Sequence, residues 1–156
     1  MNSSSVVVRR MALADLDRVV EIAQSLHDAP HWQRSAYVEA LDPEAGLPRI
    51  ALVAMDCGSG IVVGFVVASV VPPQAELESI AVDPAFQRRG VAARLFAALL
   101  KEISPAQVTE VILEVRASNF PPLTLYAALG FREIGRRPRY YADPIEDAVL
   151  MSLRLG

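Results

Sequence analysis

The sequence predicts an α/β fold built on one mixed sheet, and three observations carry that expectation. Short apolar, β-branched runs alternate with stretches whose apolar residues recur at helical spacing. Gly, Pro, Asn and Asp punctuate the junctions. The order that results is β-α-α-β-β-β-α-β-α-β-β.

Taken in turn, Val6 to Met11 is a short first strand. Leu13, Leu16, Val19, Val20, Ala23 and Leu26 keep helical spacing through His27, and Ala29-Pro30-His31-Trp32 breaks that helix. A second short helix follows from Gln33 to about Leu41. Arg49 to Met55 and Ile61 to Val71 read as a hairpin across Cys57-Gly58-Ser59-Gly60. Glu76 to Val82 is a further strand, ending at Asp83-Pro84. A long helix runs from Arg89 to Ile103 and stops at Ser104-Pro105. Val108 to Arg116, apolar on both faces, reads as an internal strand. Asn119 can cap a helix with Pro121 or Pro122 in its first turn and Gly130 past its end. Phe131 to Tyr141 and Ala148 to Arg154 close the chain as a hairpin across Asp143-Pro144.

With 156 residues, the chain is read as one domain, able to bury a core without disulfides or metal. Hydrophobic residues at 53% and charged residues at 21% suit a compact fold and exclude a disordered one. The longest apolar run, Ile61 to Val71, is interrupted by Gly64 and Ser69 and is too short to span a bilayer. No secretory signal is legible at the start, and the single cysteine, Cys57, has no internal partner. A cytoplasmic protein without a membrane is therefore expected, as a monomer or homodimer. A net charge of −3 argues against a nucleic-acid partner. His27 and His31 are separated by a helix-breaking Pro30 and have no Cys or acidic companion at ligand spacing, so no metal is expected.

Basic residues are nevertheless clustered at Gln87-Arg88-Arg89 and at Arg136-Arg137-Pro138-Arg139. The first cluster belongs to Val82-Asp83-Pro84-Ala85-Phe86-Gln87-Arg88-Arg89-Gly90-Val91-Ala92, between a strand and a helix. Backbone N–H groups at a helix start lack intrahelical acceptors, and the helix dipole favours negative charge there. Gly90 leaves room for an anion to approach the backbone. By physics alone this is an anion site of unstated identity, or an ordinary turn with two exposed arginines.

Gln87-x-x-Gly90-x-Ala92, placed after Glu-Leu-Glu-Ser-Ile-Ala-Val-Asp-Pro, resembles the acetyl-CoA diphosphate loop of the GNAT superfamily. The likeness continues through Leu113-Glu114-Val115-Arg116-Ala117-Ser118-Asn119 and Leu125-Tyr126-Ala127-Ala128-Leu129-Gly130-Phe131. Those stretches are similar to RimI-type protein N-terminal acetyltransferases. The resemblance covers the last half of the chain and departs from the commoner pattern by Ala92 in place of Gly and by Pro121-Pro122.

The resemblance implies a GNAT (acyl-CoA N-acyltransferase) fold. That is a largely antiparallel mixed sheet, helices on both faces, and a parallel strand pair near Val82 and Val108 that splays to admit pantetheine. It implies acetyl-CoA as co-substrate, held by Ile80, Ala81 and Val82, by Gln87, Arg88, Arg89, Gly90, Val91 and Ala92, by Asn119, and by Tyr126. It implies an amine acceptor, foremost a protein N-terminus such as that of a ribosomal protein. A small amine, a lysine side chain, or a non-catalytic acyl-CoA-binding module are the alternatives.

Acetyl transfer needs a neutral amine and a proton for the leaving thiolate. With a pKa near 8, about a tenth of an α-amine is neutral at pH 7, whereas lysine at about 10.4 is almost wholly charged. Glu114 lies in an apolar run, where burial would raise its pKa. The residues alone favour a pair with Arg116 on the same strand face; the resemblance implies a base, acting directly or through water. Tyr126, on a helix, would be a core aromatic by spacing alone, and the resemblance makes it the acid. Glu76 and Glu78 share a strand face and either attract the cationic amine or are solvated charges. The resemblance sets the acceptor between His31-Trp32 and Tyr140-Tyr141.

Overall fold

A computed structural model describes residues 5–26, 32–118, 120–142 and 144–155. Seven strands form one sheet: β1 (Val6–Arg10), β2 (Arg49–Asp56), β3 (Val62–Val71), β4 (Gln74–Val82), β5 (Glu110–Arg116), β6 (Arg132–Ala142) and β7 (Ile145–Arg154). Their spatial order is β1-β2-β3-β4-β5-β7-β6. Four α-helices accompany them: α1 (Leu16–Gln24), α2 (Arg34–Leu41), α3 (Val91–Ile103) and α4 (Phe120–Ala128). Every neighbouring pair is antiparallel except β4 with β5. The element order is the one the sequence predicts.

The sheet carries a packed layer on each face. On one, α3 inserts Val91, Leu95, Phe96, Leu99 and Ile103 against Val66, Ala68, Leu77, Ile80, Val111 and Leu113. On the other, Leu16, Val19 and Ile22 of α1 and Tyr37 of α2 cover Val53, Phe65, Val67 and Ala81. Tyr37 meets the Phe65 ring edge-on at 5.8 Å, and burial pushes its phenol up to about 12. Gly64 lets the start of α3 lie close to the sheet, since a Cβ there would sit 3.2 Å from Leu95 Cδ1 and 3.3 Å from Val91 Cγ1.

The feature that positions the site is in β4. Val67 pairs with Ser79 and Ala68 with Leu77, so Glu78 is an extra residue. This β-bulge shifts the side-chain alternation, and Leu77 and Ile80, three apart, enter the same core cluster. A bulged strand bends, and β4 bends away from β5. The two pair only through Gln74–Glu110, Ala75–Val111 and Glu76–Ile112. Beyond that point β4 stays on β3 as far as Val82, and β5 stays on β7 as far as Arg116. The parallel pair therefore splays toward its carboxyl ends.

Some boundaries differ from the sequence reading. α3 starts at Val91, not Arg89, because Arg88 (φ 64°) and Gly90 (φ 79°) take left-handed conformations that no helix continues. β7 starts at Ile145, three residues earlier than the apolar run indicates. β5 is internal, as expected, but alternates: Val111, Leu113 and Val115 are buried, while Ile112, Glu114 and Arg116 are half-buried. Cys57 is exposed in the β2–β3 turn. Among the described residues no helix is long and apolar enough to cross a membrane.

Candidate acetyl-transfer site

The loop after β4 is assembled by short-range chemistry. Asp83 caps the turn Pro84–Phe86, its carboxylate accepting from the Ala85 amide at 2.8 Å. Arg18 of α1 donates to the same carboxylate and, through Nε, to the Val62 carbonyl at 2.8 Å. Burial works to raise the Asp83 pKa, but the Ala85 amide and Arg18 outweigh it and hold the group below its usual range. Gln87 turns back and donates to the Val82 carbonyl at 3.0 Å. Its side chain thus ties the loop to the end of β4 instead of reaching outward. Arg89 lies over the Phe86 ring, 5.1 Å from its centroid.

Gly90 then caps α3, its carbonyl accepting from the Arg94 amide at 3.1 Å. The amides of Arg88, Arg89, Gly90, Val91 and Ala92 find no acceptor among the described residues. A Cβ built on Gly90 meets nothing within 4 Å, so the space above the loop is open. Unpaired donors at a helix start, an open approach and two arginines fit a diphosphate. Ile80, Ala81 and Val82 end β4 just before this loop, where β4 no longer pairs with β5.

A cavity of about 190 Å³ lies at the β4–β5 divergence, lined by Glu76, Ile112, Leu113, Glu114, Arg137, Tyr140 and Leu150. Glu114 is 23% exposed and 2.9 Å from Arg137 of β6. The partner expected from strand spacing, Arg116, turns instead to Glu146 at 3.2 Å and to the Pro144 carbonyl. Glu114 is therefore neither in a wholly apolar setting nor paired along its own strand. Glu78 is held by Arg49 at 2.8 Å and is not a free charge. Glu76 enters no ion pair among the described residues. Burial first, then the carboxylates of Glu78 and Glu114, raise its pKa, against smaller pulls from Arg137 and Arg49.

Tyr126 of α4 packs against the α3-side core, its ring 6.0 Å from Phe131. Leu113 and Val115 point into that same core, so Glu114, between them, faces the other way. The two residues thus flank the splay from opposite faces. The α4 end is fixed by Gly130 (φ 104°), with the Phe131 amide donating to the Tyr126 carbonyl at 3.0 Å. The loop before α4 is held by Glu146, which accepts from the Ser118 amide at 2.7 Å. Asn119 and His31 lie outside the described residues.

Tyr140 lines the cavity; Tyr141 stacks on Arg116, whose Cζ is 4.3 Å from the ring centroid. Trp32 packs beside Tyr37, ring centroids 5.1 Å apart, at the edge of the α1–α2 core and not on the cavity. Three residues that sequence reasoning did not assign shape the site: Arg49, Arg137 and Arg18. Each reaches a carboxylate on a distant part of the chain, and only the sheet order brings those partners together.

Residues 16–131 match the family described as Acetyltransferase (GNAT) family. The chain belongs to the GNAT acetyltransferase family. The ribosomal protein bS18-alanine N-acetyltransferase of Salmonella typhimurium is 44% identical over 94 residues, which cover 59% of this chain and 64% of that relative. The protein of the same name from Haemophilus ducreyi is 32% identical over 144 residues, covering 90% and 94%. The crystal structure of the Escherichia coli ribosomal-protein-S18-alanine N-acetyltransferase superposes with TM-score 0.80 at 31% identity, covering 97% and 94%. As a GNAT acetyltransferase it uses acetyl-CoA, and among the described residues no group of three metal-ligating side chains gathers.

Gly90→Leu tests the loop: the acetyl-CoA KM rises at least about ten-fold, a loss of about 1.4 kcal/mol, because the side chain fills the open approach. An unchanged KM contradicts the diphosphate assignment. Glu76→Gln tests the unpaired carboxylate. A carboxylate whose folded pKa is raised costs stability once ionised, so stability falls as pH rises above the unfolded value of about 4.3. The variant is therefore more stable than the parent at pH 7, and the gain vanishes below that value; denaturant titrations at the two pH values measure it.

Proposed function

We propose that this GNAT acetyltransferase transfers acetyl from acetyl-CoA to the N-terminal α-amine of a protein, an alanine-starting ribosomal protein being the leading acceptor. The acceptor rests on relatives that carry that name across nearly the whole chain. What carries the chemistry is the placement of Glu114 and Tyr126 on opposite faces of one strand divergence.

Acetyl-CoA supplies the activated thioester. The amides from Arg88 to Ala92 hold its diphosphate, and the backbone of Ile80, Ala81 and Val82 holds the pantetheine arm along the slot, where β4 has lost β5 as a partner. Asn119 adds a side-chain contact in this reading. Glu76, which enters no ion pair among the described residues, attracts the acceptor ammonium, and Tyr140, beside Tyr141, guides its chain.

Glu114 takes the proton from the ammonium, and Tyr126 gives its phenolic proton to the departing thiolate. An α-ammonium suits this site, because its pKa near 8 asks little of the carboxylate that takes its proton. The raised pKa of Glu76 makes it the natural next station for the proton.

Thiol release with alanine- and serine-starting peptides, lysine peptides and polyamines decides the acceptor. Turnover with the N-terminal peptides and none with polyamines is expected; the reverse selects a small-amine enzyme, and acetyl-CoA binding without any turnover selects a binding module. In the same assay Tyr126→Phe lowers kcat about 10²-fold or more with the acetyl-CoA KM little changed. Undiminished turnover removes Tyr126 as the acid.

A further inference from the structure

Arg137 has no part in the proton transfers above, yet it touches their central carboxylate. Its Nε is 2.9 Å from Glu114 Oε2, where an acceptor ammonium must come to surrender its proton. The Arg137 side chain is 57% exposed and that of Glu114 23%, so the arginine can leave while the carboxylate stays. The same guanidinium already lies 5.6 Å from the Tyr140 ring centroid while it holds Glu114, a contact it can keep once the carboxylate is released.

The backbone of β6 builds this arrangement. Arg137 pairs with Ala148 and Tyr141 with Glu146, so extra residues bulge between them. Arg139 takes φ 53° and donates its amide to Asp147 Oδ1 at 3.0 Å, which pins the bulge. In a regular strand, residues three apart point to opposite faces. Here the bulge brings Arg137 and Tyr140 to one side.

The charges around the cavity complete the case. Arg49 neutralises Glu78, Arg137 neutralises Glu114, and Glu76 enters no ion pair among the described residues. Tyr140 and Tyr141 of β6 and Arg116 of β5 also lie near Glu114; Glu146 is occupied by Arg116 and Asp147 by the Arg139 amide. The cluster is thus one cation short of neutral when Glu76 is ionised, and an acceptor brings one positive charge.

We propose that Arg137 is a built-in stand-in for the acceptor's ammonium group, holding Glu114 between turnovers and yielding it to the incoming amine. This rests on Glu114 being the base. At Glu114 one cation takes the place of another, and Arg137, still beside Tyr140, stays at the cavity, so the acceptor's charge makes up the deficit at Glu76. The cost of the exchange falls on acceptor binding, while the diphosphate loop is untouched.

The test is steady-state kinetics of the full chain with an alanine-starting peptide, using Arg137→Gln, Arg137→Lys, Glu114→Gln and the double variant Arg137→Gln/Glu114→Gln. Arg137→Gln lowers the acceptor KM, by up to about five-fold for an exposed pair, and leaves the acetyl-CoA KM alone. It also moves the acid limb of kcat/KM to higher pH, since Glu76 loses a cation that restrains its titration. Arg137→Lys stays near the parent. In the Glu114→Gln background, removing Arg137 no longer changes the acceptor KM.

An acceptor KM that rises in Arg137→Gln, or stays unchanged with a static acid limb, overturns the proposal. So does an equal fall in KM with and without Glu114. If Glu114→Gln keeps full kcat, the base reading fails by itself, and the acceptor KM of Arg137→Gln still judges the exchange.

Discussion

One inserted residue, Glu78, governs the architecture of the site. A strand with an extra residue cannot hold register on both sides, and β4 keeps β3 while releasing β5. Two strands inside a sheet thereby lose each other's backbone partners over their last residues. Buried peptide groups without partners are costly, so an opened pair of this kind calls for a ligand that supplies hydrogen bonds. An elongated amide-bearing arm meets that requirement. The loop at the end of β4 then follows from the same geometry, because the split opens toward the carboxyl ends, where Asp83 and Gly90 start the next helix.

The bulge also selects what faces the cleft. It places Ile80 with Leu77 in the α3-side core and leaves Glu76 on the other face with Glu114. Three carboxylates would repel one another in a half-buried pocket, and two are held by arginines from β2 and β6. The third, Glu76, enters no ion pair among the described residues, which is why the proposed function assigns it to the acceptor. Protein stability and acceptor attraction pull in opposite directions at Glu76, as they do wherever a buried charge awaits a partner.

Much of this was legible in the chain. Element order followed from hydrophobic period and from Gly and Pro at the junctions. Gly90 and the arginines beside it, standing between strand and helix, marked an anion site or an ordinary turn, and only family likeness made the expected anion a diphosphate. Glu114 and Tyr126 stood out only through family likeness, because a lone carboxylate on a strand and a lone aromatic on a helix have ordinary explanations. The ion pairs were not legible. Glu114 with Arg137 and Glu78 with Arg49 join strands that the sequence separates by 23 and 29 residues, and their meeting depends on sheet order and on two bulges. Bulges leave little mark on hydrophobic period, which is why β6 read as a plain strand and Arg137 only as one member of a basic cluster.

The central claim is that the β4–β5 divergence and the loop behind it form one cofactor slot. Amide hydrogen exchange with and without acetyl-CoA tests it most directly. Protection should gather in 78–82 and 88–92, with β1 and the β2–β3 turn unaffected. Protection confined to any other surface, with these two segments unchanged at saturating acetyl-CoA, would contradict the account.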